Sequence, residues 1–227
     1  MTTTAAQGTA PTRRERILRA LLAAHGKTFA EEAGITLKDA PSPLYRLLVL
    51  SVLLSAPMSS RTGVAACRAL ADAGLRTAAR MRDSSWQQRV KLLGEAGYRR
   101  FDERTATMLG DGAELVMSRW GGDLRRLREE SAGDVDELRK LLQEVPGIGR
   151  VGSAIFCREV QGVWPEIAPF LDDRVLDGAK RLGLPASAGG LAKLVEDDEL
   201  PALAAACVRA SLDENLVEEV KGSLKAG

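Results

Sequence analysis

Residues 142–173 read LQEVPGIGRVGSAIFCREVQGVWPEIAPFLDD, and the fold follows from how this stretch breaks and resumes a helical pattern. The run Asp134 to Gln143 carries Leu138, Leu141 and Leu142 at helical spacing. Pro146 cannot extend that helix, because it has no N–H and its ring clashes with the preceding turn. Gly147 and Gly149 then supply the permissive backbone of a tight reversal. From Arg150 a second helix is predicted, with Ile155, Phe156 and Val160 on its apolar face and the small residues Gly152, Ser153 and Ala154 in its first turn. The expected unit is helix, PGIG hairpin, helix.

Such a hairpin has either a bland meaning, a turn between two core helices, or a chemical one. Glycines leading into a helix N-terminus leave backbone N–H groups pointing outward, and together with the helix dipole these favour an anion such as a phosphate. Arg150 adds a full charge there. Downstream, after Trp164, Pro165 and Pro169, comes FLDDRVLDGAKRLG, in which Asp172 and Asp173 stand where a helix carried by Val175, Leu176, Ala179 and Leu182 begins. An Asp in that position is ordinarily a helix cap.

VPGIG, a Trp-Pro loop and an Asp just ahead of a helix together resemble the helix-hairpin-helix DNA glycosylases of the endonuclease III superfamily, and the resemblance spans roughly residues 42–183. Upstream, LLSAPMSS resembles the family's LLSAQ segment, whose Gln fills the gap left by a flipped base; here Pro57 stands in that place, so a wedge would be Pro57 or Met58, apolar groups suited to entering a base stack. The plain alternative is a proline ending a helix. LLGEAGYRRFDERTATM resembles a further family segment, which implies that Tyr98 and Arg99 lie near the cleft; by sequence alone they read as a solvated turn.

The resemblance implies an all-α, two-lobed helix-hairpin-helix fold with the active site between the lobes. Residues 40–149 would form a barrel-like helical lobe ending in the hairpin, residues 13–39 and 150–227 the second lobe, and residues 1–12 a disordered tail. It implies duplex DNA as partner, gripped through Val145, Gly147, Ile148, Gly149, Arg150, Gly152 and Ser153. A monovalent cation, Na⁺ or K⁺, would sit on the backbone carbonyls of Gln143, Val145 and Ile148. Counting back from Lys180-Arg181-Leu182-Gly183 makes Asp172 the catalytic carboxylate, with Asp173 the runner-up, since alkylpurine glycosylases use the second of an Asp-Asp pair. The chemistry is hydrolysis of an N-glycosidic bond, whose transition state builds positive charge on the sugar that a carboxylate stabilises. Bifunctional members carry a Schiff-base Lys where this chain has Val151, so AP-lyase activity is not expected. The other reading is a non-catalytic helix-hairpin-helix DNA-binding protein.

The remaining features bound these readings. The chain has 227 residues, 45% of them apolar, enough for one sizeable core or two small lobes. Lys and Arg number 32 against 31 Asp and Glu, so nucleic-acid affinity must come from a local patch, which could include Arg13, Arg14, Arg16 and Arg19 on a basic amphipathic helix from Arg13 to His25. Cys67, Cys157 and Cys207 are scattered in apolar surroundings, and no iron–sulfur cluster, zinc site or other cofactor is expected. The single histidine, His25, is expected to meet helix carbonyls at a helix end. LYRLLVLSVLLSA, expected to be capped by Ser42, is too short to span a bilayer and reads as a buried core helix. No signal-peptide pattern is present, and a cytoplasmic, nucleoid-associated monomer without a membrane partner is expected.

Overall fold

In a computed structural model, which describes residues 11–223, every regular element is helical and no strand occurs among the described residues. The expected tail of residues 1–12 lies almost wholly outside the described residues; Thr12 is the N-cap of the first helix, in a capping box with Glu15. That helix, α1, runs Arg13–His25 and is followed by the single turn α2, Phe29–Glu32. The central apolar segment forms α3, Pro41–Ser55, with Leu44, Tyr45 and all of residues 47–53 buried. Its N-cap is Ala40 and not Ser42: Pro41 takes the first helical position, where its missing N–H costs nothing, and the Ser42 hydroxyl donates to the Arg76 carbonyl (3.0 Å).

Next come α4 (Ser60–Asp72), α5 (Ala78–Asp83), α6 (Trp86–Glu95), α7 (Asp102–Trp120), α8 (Leu124–Glu130) and α9 (Val135–Gln143). Beyond the hairpin lie α10 (Arg150–Val160), α11 (Asp173–Leu182), α12 (Ala188–Ala192), α13 (Leu200–Leu212) and α14 (Glu214–Gly222). The short helices α2, α5 and α8 escape a periodicity reading, because four to seven residues do not complete two turns.

Contacts sort these helices into two packing groups. Helix α3 packs on α4, α7 and α8, while α7 also packs on α5, α6 and α8. In the other group α13 packs on α1, α11 and α14. Helix α10 joins the groups, since it touches α3, α9 and α13. Residues 152–160 of α10 are all buried, so the helix following the hairpin runs through the middle of the protein.

Two close contacts fix how the second group packs. A Cβ at Gly178 of α11 would stand 1.8 Å from the Cys207 carbonyl oxygen of α13, so only glycine lets these backbones approach so nearly. The Glu159 carboxylate, buried in α10, accepts the Phe29 and Ala30 N–H groups (3.2 and 2.9 Å) and so caps α2 across 130 residues of sequence.

Two outcomes are expected. Gly178→Ala should lower unfolding stability by about 1–3 kcal/mol or more in chemical denaturation, because α11 and α13 must separate. Burial raises the Glu159 carboxyl above the usual carboxylate range. A raised folded-state value makes this group's contribution largest below the ordinary Glu value of about 4.3 and lost as pH rises through the raised one. The stability difference, wild type minus Glu159→Gln, should therefore fall on going from acid to neutral pH; a difference that grows with pH would contradict the assignment.

Candidate nucleic-acid interface

The hairpin is built as the sequence dictates, one residue at a time. Asp134 caps α9 by accepting the Asp136 and Glu137 N–H groups, and Pro146 stops the chain from continuing it. Gly147 has φ +90°, and a Cβ there would lie 3.0 Å from Val52 Cγ1 and 3.1 Å from Met108 Sδ, so its glycine is needed for both conformation and space. Gly149 is different: its φ is −103°, and a Cβ there would meet nothing within 4 Å. Neither the fold nor the backbone requires glycine at that position, which faces open space at the α10 N-terminus.

Helix α10 begins with no side-chain cap. Its first closing hydrogen bond runs from the Ser153 N–H to the Gly149 carbonyl (2.9 Å), so the amides of Arg150 and Val151 precede the helical ladder. Of the hairpin residues expected to meet DNA, Gly149 and Arg150 are exposed and Gly147 is half-buried, whereas the side chains of Val145 and Ile148 are buried as anchors of the turn. Gly152 and Ser153 are also buried. A Cβ at Gly152 would crowd Ile148 and Ser55 at the α3 crossing, and the Ser153 hydroxyl donates to the Arg150 carbonyl (3.1 Å). Ser153 thus has neither its N–H nor its hydroxyl directed outward.

Two cavities flank the hairpin. The first, about 450 Å³, is lined by Ser55, Pro57, Arg104, Met108, Gly147 and Gly149, so the end of the LLSAP segment and the hairpin meet in one groove. Pro57 is exposed there, while Met58 is half-buried and lines neither cavity. Tyr98 backs the groove but is fully buried, its hydroxyl donating to the Leu53 carbonyl (3.0 Å), and burial pushes that hydroxyl above the usual Tyr range. It is a core residue with no free polar group to offer a ligand. Arg99 is exposed, outside the groove, and turned back toward the Gly94 carbonyl (3.3 Å).

The second cavity, about 480 Å³, holds Asp172 and Asp173 together with Arg150 and Val151 of the hairpin's second helix. Asp172 is the N-cap of α11, its Oδ1 accepting the Val175 N–H (3.3 Å). Both of its oxygens also accept from Arg158 Nη1, at 3.1 and 2.8 Å. Asp173 is exposed in the first turn of the same helix. Val151, where the sequence resemblance leads one to look for a lyase Lys, is 59% exposed in this cavity.

The loop that delivers Asp172 is pinned by residues that periodicity alone passes over. Buried Gln161 pairs with the Phe170 backbone in both directions, accepting its N–H (2.8 Å) and donating to its carbonyl (3.2 Å). The buried Trp164 indole N–H donates to Asp39 (2.9 Å), and Arg128 bridges Asp39 and Glu166. The available signal for Arg158, Glu159 and Gln161 was their place on a helix turn that also carries Phe156 and Val160, where a charge requires a partner. The expected role of His25 does not hold: the Gly26 N–H closes α1 onto the Leu22 carbonyl, and His25 Nε2 is buried without a hydrogen-bond partner.

The three cysteines are buried, and desolvation pushes each thiol up to about 12. No cluster of three His, Cys, Asp or Glu side chains suited to a metal occurs among the described residues, and no helix there is long and apolar enough to cross a membrane.

No family model and no curated protein matches this chain. Among solved structures, the chain is similar to a trapped endonuclease III–DNA covalent intermediate with an estranged adenine: identity is 16% over 87% of this chain and 85% of that one, with a TM-score of 0.48. It is likewise similar to a non-covalent endonuclease III–DNA complex, at 16% identity over 88% and 85% of the two chains and a TM-score of 0.47.

The two hairpin glycines should separate in a stability measurement. Gly147→Ala is expected to lose about 1–3 kcal/mol from its left-handed backbone alone, whereas Gly149→Val should stay within about 1 kcal/mol of wild type. Equal losses at both positions would contradict the hairpin geometry.

Proposed function

We propose that this protein binds duplex DNA through the hairpin and hydrolyses the N-glycosidic bond of a damaged or mispaired base, as a monofunctional glycosylase with Asp172 as its catalytic carboxylate. The observation that carries the proposal is that the uncapped α10 N-terminus and Asp172 share one cavity. A phosphate held by the Arg150 and Val151 amides would bring the adjoining sugar next to a carboxylate, and a negative charge there stabilises the developing oxocarbenium ion. Asp173, at the next position, is the runner-up. Val151 has no nucleophile, so the strand would stay intact after base release. The groove beside Pro57 is the space in which a wedge would act.

A cation at the hairpin belongs to the same proposal. The carbonyls of Gln143 and Ile148 accept no hydrogen bond within the described residues, and that of Val145 accepts only the Ile148 N–H (2.9 Å). Three such oxygens fit a hard monovalent ion, which would supply positive charge beside a DNA phosphate. The protein would act as a monomer in the cytoplasm, on nucleoid DNA.

A specific observation favours a second reading, a DNA-binding protein without chemistry: Arg158 occupies both oxygens of Asp172, and a paired carboxylate is less available to a cationic transition state. Asp172→Asn, assayed on lesion-containing duplexes by hot-alkali detection of abasic sites, decides between the two. The glycosylase reading expects base release to fall about 100-fold or more while DNA affinity holds, with Asp173→Asn mild. Asn keeps the cap but weakens the hold on Arg158, so stability should fall by about 1–3 kcal/mol. Loss of activity in Asp173→Asn alone would move the catalytic role to that residue; no base release by wild type on any lesion would leave the binding reading.

DNA binding itself is tested by salt titration of duplex affinity. Gly149→Val should weaken binding at every salt concentration, and borohydride should trap no covalent adduct. Unchanged affinity in the folded variant would remove the hairpin from the interface.

A further inference from the structure

The cavity around Asp172 holds more positive charge than its own carboxylates balance. Arg139, Arg150, Arg158 and Arg174 line it against Asp172 and Asp173, a surplus of two positive charges. Among the described residues only Arg158 of these four has a carboxylate within ion-pair distance. Arg158 is nine-tenths buried, and Asp172 grips it by Nη1 alone. Its Nε and Nη2 meet no protein acceptor among the described residues, yet neither is sealed from solvent. Arg139 stands above Phe170, 5.7 Å from the ring centroid, with its Nε buried and unpartnered.

We propose that this cavity binds a terminal phosphate, the phosphomonoester of a nucleic-acid end or of a nucleotide, with Asp172 orienting the Arg158 fork toward it. Three features point to that ligand. Guanidinium forks match phosphate oxygens in pairs, and an arginine held on one nitrogen presents the others preorganised. The surplus of two charges balances a dianion. Depth then selects the end group: a phosphate inside a strand continues on both sides and must keep both links at the mouth, whereas a terminal phosphate has one ester link and can reach the buried Arg158. The Phe170 ring and the exposed Val151 give an attached sugar or base an apolar wall. This site stands independently of base hydrolysis.

The test is fluorescence anisotropy with the full chain and a short duplex carrying a 5′-phosphate, a 3′-phosphate, hydroxyls at all ends, or ends closed as a dumbbell. Deoxyadenosine monophosphate and deoxyadenosine serve as competitors. A terminal phosphate should bind about tenfold tighter or more than its hydroxyl counterpart, the scale of one or two charge-assisted hydrogen bonds. Preference confined to the duplexes assigns the site to nucleic-acid ends, and competition by the monophosphate alone assigns it to free nucleotides. Arg158→Gln and the exposed Arg174→Gln should each reduce the preference while leaving the affinity of the hydroxyl-ended duplex nearly unchanged; Arg174→Gln keeps the test valid if Arg158→Gln fails to fold. Equal binding of phosphate and hydroxyl forms by wild type, or a preference that survives in Arg174→Gln or in a folded Arg158→Gln, overturns the proposal. Base release without phosphate preference would overturn this assignment alone, and phosphate preference without base release would overturn the glycosylase reading alone.

Discussion

Burial of α10 along nearly its whole length is the constraint on which the rest of the structure depends. A helix with water on one side can turn its polar side chains outward; one that threads the protein cannot, and each polar group on it needs a defined partner. Ser153 turns back to the Arg150 carbonyl, Arg158 takes Asp172 and Glu159 takes two amides of α2; at the helix end Gln161 takes the backbone of Phe170. These four attachments tie the helix start, the α11 cap, the N-terminal segment and the Trp-Pro loop to one element. The position of the candidate site follows from satisfying buried polar groups as much as from apolar packing.

The close approach of backbones has the same consequence. Gly178 lets α11 lie on the α13 backbone with no side chain between them, and Gly152 leaves room for the Ser55 side chain where α10 crosses α3. Neighbouring helices at such short range leave little freedom for Asp172, which sits at the end of one of them. Gly149, whose missing side chain relieves no contact inside the protein, is set apart from these packing glycines by that fact.

Electrostatics distinguishes the two cavities beside the hairpin. The groove near Pro57 has one positive and one negative side chain, Arg104 and Glu144, among otherwise uncharged residues. The cavity at Asp172 is dominated by arginines. Asp172, read from sequence as one of two adjacent carboxylates, is, in the folded chain, a member of a charged cluster of opposite net sign. Its chemistry is therefore set by neighbours that come from α9, α10 and α11 together.

The sequence by itself determined the helical class, the stop at Pro146, the reversal at Gly147 and the start of α11 after Asp172, because each depends on backbone rules that act within a few residues. It also marked α3 as a core helix from its unbroken apolar run. It could not distinguish Tyr98 at a cleft from Tyr98 in the core, or an outward Ser153 from a buried one, because both outcomes fit the same local pattern. Only tertiary structure decided that Arg158 faces Asp172, that Glu159 caps a helix 130 residues away, and that Pro57 and Asp172 line different cavities. Those are pairings between distant segments, and a partner's identity is fixed when the chain packs, since no local rule encodes it.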